Sequence, residues 1–173
     1  MSKTLIAFFS RADENYFGGA MRYVKVGNTE IVVNSMKDIL TADTFKIEMK
    51  EPYSSVYMTC IDQAKKHLQS NARPELVSLP DSIDEYDTII LGYPNYWGTM
   101  PMAVFTFLEA FDFSGKTILP FCTNEGSGMG KSEKDIKNIC SGANVAAGLA
   151  IRGSKAAGSE NDVKKWLAKN GVI

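Results

Sequence analysis

The stretch "YDTIILGYPNYWGTMPMAVFTFLEAFDFSGKTILPFCT", residues 86–123, decides the fold. It opens with a short continuous apolar run, Tyr86–Tyr93, and closes with another, Gly115–Thr123. Between them, "MAVFTFLEAF" follows Pro101, a residue suited to the first turn of a helix. Two short, fully apolar strands joined through a helix imply a sheet covered on both faces.

Working outward, the same alternation repeats. "KTLIAFFS" is an apolar strand at residues 3–10, and "NTEIVVNSMKDIL" has helical apolar spacing at Ile31, Val32, Met36, Ile39 and Leu40. "DTFKIEM" alternates as a strand, and "VYMTCIDQAKKHLQSN" reads as a helix. After the central unit come a helix at 132–140 behind Ser132, a small-residue strand "NVAAGLAI" at an edge, and a helix between Ser159 and Gly171. Strand and helix therefore alternate five times, which predicts one doubly wound, three-layer α/β domain over residues 1–173.

The bulk numbers narrow the function. A net charge of −1 gives no electrostatic case for nucleic acid or an anionic membrane surface. The apolar run "LIAFF" is too short for a signal-peptide core or a membrane span, so a cytoplasmic location is expected. Three scattered cysteines, Cys60, Cys122 and Cys140, without C-x-x-C spacing, read as reduced thiols. Cys122 reads as a small buried hydrophobe and His67 as a solvated residue of a polar helix. No metal is expected, because no ligand cluster is apparent.

In a doubly wound sheet, ligands sit beyond the carboxyl ends of the strands at the switch point. Three loops are placed there. The first, Ser10–Asn28, ends in Gly27-Asn28-Thr29 at a helix start, where amides, the Asn28 and Thr29 side chains and the Ser10 hydroxyl suit a phosphate; a plain helix cap is the competing reading. The second, "GYPNYWGTMP", carries Tyr96 and Trp97 as a platform for a flat ring, shaped by Pro94, Asn95 and Gly98. The third, "TNEGSGMGKS", nearly spells the triphosphate loop G-x-x-x-x-G-K-[ST], but Glu125 stands at the first glycine and would repel a phosphate. Thr123, Asn124, Glu125, Gly126 and Gly128 read instead as an amide-rich edge for a ring.

A phosphate cradle, an aromatic platform and an amide-rich edge together resemble the flavodoxin family. The resemblance covers nearly the whole chain and is most specific from Tyr86 to Gly130. It implies a five-stranded parallel sheet of order 2-1-3-4-5 and flavin mononucleotide (FMN) as cofactor, with chemistry on the flavin and no catalytic side chain. The family motif Ser/Thr-x-Thr-Gly-x-Thr is here interrupted by an insertion at about residues 11–26, expected as an Ω-like loop. Val26 replaces the family's middle threonine, and Arg11 or Asn15 is the expected replacement donor to phosphate. Gly98 falls where the family places backbone near the flavin ring.

Related readings fall away on residues. A receiver domain needs acidic residues where Ser10-Arg11 stand, and no G-x-G-x-x-G follows the first strand. Three functions stay open. The first is an FMN-dependent NAD(P)H or quinone oxidoreductase acting on a small acceptor, as a monomer or homodimer. The second is a flavodoxin proper, shuttling electrons between protein partners, for which only the acidic segment Asp81–Asp87 speaks. The third is a non-redox binding module.

Overall fold

The computed structural model describes residues 2–173. β1 (Thr4–Phe8) is followed by β2 (Asp13–Phe17) and β3 (Ala20–Val24), then α1 (Asn28–Lys37), β4 (Asp43–Lys46) and α2 (Tyr57–Gln69). β5 (Thr88–Pro94), α3 (Met102–Glu109), β6 (Thr117–Asn124) and α4 (Ser132–Ile139) form the middle of the chain. β7 (Asn144–Val145), β8 (Leu149–Arg152), a 3-10 turn (Gly153–Gly158) and α5 (Glu160–Lys169) complete it.

The main sheet runs β4-β1-β5-β6, with β7 and β8 both paired to β6. All of these pairings are parallel. Counting β7 and β8 as one interrupted strand, the order is 2-1-3-4-5. The central strands are sealed from water: every residue of β1 is buried, and Ile89, Ile90, Leu91, Leu119 and Phe121 have no accessible surface. α2, α3 and α4 cover one face around Leu91, Phe107 and Ile118. α1, α5 and the 3-10 turn cover the other around Ile6, Val33 and Leu167.

Two expectations about the course of the backbone are corrected first. The fifth strand is not continuous over 144–151. β7 pairs only with Thr117 and Ile118, and β8 with Phe121–Asn124. Between them, side chains take the backbone groups the sheet gives up: Gly148 N–H donates to Glu133 (2.8 Å), and Trp166 Nε1 donates to the Ala147 carbonyl (3.0 Å). The insertion at 11–26 is not an Ω-like loop either. It is an antiparallel hairpin of β2 and β3 turning at Gly18-Gly19. A two-residue Gly-Gly connection between Phe17 and Ala20 is a hairpin signal that the sequence did carry.

Ser159 stands at the N-cap of α5 as expected and Ser132 falls inside α4, but neither hydroxyl makes a cap bond. Ser132, fully buried, accepts from the Tyr93 hydroxyl (2.8 Å) and donates to the Met129 carbonyl (2.6 Å). Ser159 donates to the Ala156 carbonyl (2.7 Å). His67 is half-buried rather than solvated, its Nδ1 bonded to the Tyr53 hydroxyl at 2.8 Å.

Candidate functional site

A cleft of about 380 Å³ opens at the carboxyl ends of β1, β5 and β6. Its floor follows from β1. After Phe8 the chain leaves the sheet at Ser10, and the Ser10 hydroxyl accepts from the Glu30 N–H in the first turn of α1 (3.1 Å). This ties the strand end to the helix start although the hairpin intervenes in sequence. The amides of Asn28 and Thr29 begin α1, where no intrahelical acceptor exists for them. Gly27 packs against this junction so closely that a Cβ there would collide with the Ser10 hydroxyl and the Arg11 carbonyl. Thr29 is buried, its hydroxyl 2.8 Å from that of Thr123 at the end of β6.

The aromatic wall is a tight turn. Tyr96 and Thr99 exchange backbone hydrogen bonds, with N–H···O distances of 2.8 and 3.4 Å. The central residues Trp97 and Gly98 have φ of +57° and +89°, the type I′ pattern that glycine tolerates and tryptophan accepts only when held. The hold comes from neighbours. Asn95 Oδ1 accepts from Gly98 N–H and Asn95 Nδ2 donates to the Gly128 carbonyl, both at 2.9 Å. Lys131 N–H donates to the Gly98 carbonyl at 2.8 Å. The Gly98 amide and carbonyl are thus both engaged, and the loop after β5 is clasped to the loop after β6. Trp97 Nε1 donates to the Ile61 carbonyl of α2 (2.8 Å), and the Lys65 ammonium lies 5.1 Å from the indole centroid. Tyr96 packs edge-on to Phe9, and burial holds its phenol well above the usual range.

The hairpin spans the mouth. At its base, Glu14 accepts from the Tyr57 N–H at the start of α2 (3.0 Å), and Glu14 N–H donates to the Ser55 carbonyl (3.2 Å). At its tip, Gly18 N–H approaches Glu125 Oε2 at 3.4 Å. The Arg11 head turns toward α2: Nη1 donates to the Glu14 carbonyl and to Asn15 Oδ1 (3.3 Å), and Nη2 to the Ser54 carbonyl (2.7 Å). Its Nε is buried without a partner. The Asn15 amide donates to the Arg11 and Ala12 carbonyls (3.0 and 3.3 Å).

Of the residues singled out in the sequence, Ser10, Arg11, Asn15, Asn28, Thr29, Pro94, Asn95, Tyr96, Trp97, Gly98, Thr123, Asn124 and Glu125 line the cleft, while Gly27, Gly126 and Gly128 do not. The Arg11 and Asn15 side chains bond within the hairpin and to the Ser54 carbonyl ahead of α2. Glu125 leans to the hairpin tip. Sequence reasoning missed Tyr16, Ser127, Gly153 and a stripe of α2, Tyr57, Cys60, Ile61 and Ala64. The stripe's i, i+3, i+4, i+7 spacing was legible but reads as core. Only the hairpin standing opposite makes it a wall. Burial raises the Cys60 thiol, an effect the nearby Arg11 guanidinium partly offsets.

No curated protein matches the chain in sequence. Among solved structures, a protein of Bacteroides eggerthii assigned as a flavoprotein is 25% identical, with all of both chains covered and a TM-score of 0.80. A similarly assigned protein of Bacteroides uniformis is 26% identical, covering 94% of this chain and 98% of that one, with a TM-score of 0.73. A flavoprotein of Lactobacillus acidophilus, solved in complex with FMN, shares the fold at 20% identity and a TM-score of 0.65, covering 96% and 99% of the two chains. The flavodoxin family profile matches residues 20–170, from the second hairpin strand to the last helix. That match embraces the aromatic turn, the loop clasped to it and the start of α1, on a sheet whose order is that of the fold, and the chain belongs to the flavodoxin family.

Proposed function

We propose that the protein binds FMN in the cleft and works as an FMN-dependent oxidoreductase on a small acceptor. The observation that carries this is the junction of two unlike surfaces in one cleft: an anion-accepting helix start and an aromatic turn. At the first, the amides of Asn28 and Thr29 face outward, and Ser10, whose oxygen already accepts from Glu30, keeps its proton to donate. The space a Cβ on Gly27 would need is already taken up by this cradle. A phosphate dianion fits such a donor set, so FMN is favoured over riboflavin. Trp97, Tyr96 and Asn95 would flank the ring, and Asn124 and Glu125 its polar edge. Bound there, FMN supplies hydride and electron transfer at its isoalloxazine ring. The chain's own part is to bind, orient and shield that ring.

The shuttle reading is weaker on this structure. The acidic segment Asp81–Asp87 ends one residue before β5, hence at the opposite end of the strands from the cleft. One of its carboxylates is spent: Glu85 pairs with Lys3 at 2.6 Å. A partner attracted there would dock far from the flavin. Buried free thiols at Cys60, Cys122 and Cys140 support a reducing, cytoplasmic setting. Among the described residues no helix is long and apolar enough to cross a membrane.

The test is a titration with FMN and with riboflavin, followed by flavin fluorescence. Ser10→Ala with Asn28→Ala should weaken FMN by about tenfold or more, since hydrogen bonds to a charged group are the strong ones, and leave riboflavin nearly unchanged. Equal losses for both ligands overturn the phosphate assignment, and absence of any flavin binding overturns the function. Oxidation of NADH or NADPH by the FMN-loaded protein, dependent on an added quinone, then separates the oxidoreductase from the shuttle.

A further inference from the structure

One side of the cleft is lined mostly by residues to which the cofactor reading gives no part. It lies between α2 and the hairpin, on the side of the sheet opposite α1. Tyr57, Ile61 and Ala64 form its floor, and Tyr16 of β2 stands opposite, its ring centroid 6.4 Å from that of Tyr57 at a tilt of 33°. Trp97 closes one side, fixed by its bond to the Ile61 carbonyl. These walls are aromatic and aliphatic, and two of them are still open to solvent: Tyr16 and Trp97 are 45% and 47% exposed. Such a slot accepts a flat ring.

Arg11 sets the polarity of this slot. A guanidinium has five N–H donors. Three are spent on the Glu14 carbonyl, Asn15 Oδ1 and the Ser54 carbonyl, which leaves the Nε–H and one Nη2–H. The buried Nε has no partner at all. Every acceptor in hand is neutral, and among the described residues Arg11 forms no ion pair. Asp13 and Glu14, the acidic neighbours in sequence, spend their carboxylates on the Tyr23 hydroxyl and the Tyr57 amide instead. A cation kept in a partly dehydrated cleft without a counter-ion favours an incoming anion, and its remaining Nη2–H suits a carboxylate or sulfonate oxygen.

We propose that the slot between Tyr16, Tyr57, Ile61 and Trp97, with Arg11 at its edge, binds an aromatic acid: a flat ring carrying a carboxylate or sulfonate. This goes beyond the oxidoreductase reading and rests on it only in assigning the α1 side of the cleft to FMN. Two residues brought to the cleft by the inserted hairpin, Arg11 and Tyr16, thus select a ring-bearing anion, while Ser10, Asn28 and Thr29 hold the cofactor.

The test uses the FMN-loaded protein and two probes of one shape, 2-naphthoate and neutral 2-naphthol, titrated calorimetrically while flavin fluorescence reports FMN release. Naphthoate should bind at least tenfold tighter than naphthol without releasing flavin. Tyr16→Ala with Tyr57→Ala should weaken naphthoate about tenfold, the loss of two aromatic side chains lining the slot, with FMN affinity within about twofold of wild type. Ile61→Glu, which adds a like charge beside the acid, should abolish naphthoate binding while circular dichroism stays native. Release of flavin by naphthoate, equal affinity for both probes, or variants that bind as wild type does would each overturn the proposal. A protein that takes no flavin defeats the cofactor reading alone. In that case the same titration on the flavin-free chain decides the slot: naphthoate binding sensitive to Tyr57→Ala upholds it, and no binding overturns it.

Discussion

The buried pair Thr29–Thr123 offers a test of how the cleft floor is built. The two side chains come from α1 and β6, ninety-four positions apart, and meet hydroxyl to hydroxyl at 2.8 Å. Both are nearly sealed, at 2% and 5% exposure, so neither hydroxyl can fall back on bulk water. Replacing one by valine keeps the branched shape but strands the other hydroxyl. The cost of a stranded buried polar group is about 1–3 kcal/mol. Replacing both removes the stranded group, and paired apolar replacement of a hydrogen-bonded couple is close to neutral. Thr29→Val and Thr123→Val should therefore each cost about 1.5 kcal/mol, and the double variant less than their sum by about 1 kcal/mol or more. Urea denaturation of the flavin-free protein at the four corners of the cycle measures this, provided the slopes agree. FMN affinity gives a second reading. A Thr29 hydroxyl held by Thr123 contributes little to a phosphate, so Thr29→Val should weaken FMN by less than about threefold. Costs that simply add, with a coupling below about 0.3 kcal/mol, would refute the pair, and a large FMN loss in Thr29→Val alone would put its hydroxyl on the ligand.

Gly130→Ala should open the clasp between the two loops. A Cβ there would run into the Gly98 backbone, and φ is +55°, so the change should cost about 2–4 kcal/mol of stability and weaken FMN, and an unchanged urea midpoint would contradict the contact. Trp97 should lose fluorescence when FMN binds; because Trp166 is buried under β6 and gives a constant background, the Trp97→Phe variant should show almost no quenching, and persistent quenching in that variant would move the ring elsewhere. Burial pushes the Cys122 thiol up to about 12 and Cys140 to about 11, against an ordinary 9.0. The unfolded chain therefore loses these protons first as pH rises, and stability should fall from about pH 9 toward 11. Cys122→Ala with Cys140→Ala should flatten that slope in urea titrations across this window, and an unaltered slope would assign the loss to other groups.

The fold and the place of the cleft were legible in the order of residues alone. Continuous apolar strands such as Ile89–Leu91 and Ile118–Leu119 leave a chain no arrangement but a sheet covered on both faces, because hydrophobic burial acts on composition and periodicity, which are local. Loop residues such as Ser10, Asn28, Tyr96 and Trp97 were legible for the same reason: their position after a strand puts them at the ligand end of the sheet. What tertiary structure alone decided is which partner each polar group takes. Arg11, read with Asn15 as the alternative donor to phosphate, spends its head on the hairpin and on the segment before α2, because Glu14, Asn15 and Ser54 supply acceptors there whereas the start of α1 presents N–H donors. The stripe Tyr57, Cys60, Ile61 and Ala64 has the spacing of any buried helix face, and becomes a cleft wall only where β2 stands across from it. The break in the fifth strand likewise depends on Glu133 and Trp166, remote in sequence, reaching Gly148 and Ala147. Pattern fixes which face of an element is buried. Hydrogen-bond partners are chosen by distance in three dimensions, which no one-dimensional spacing encodes.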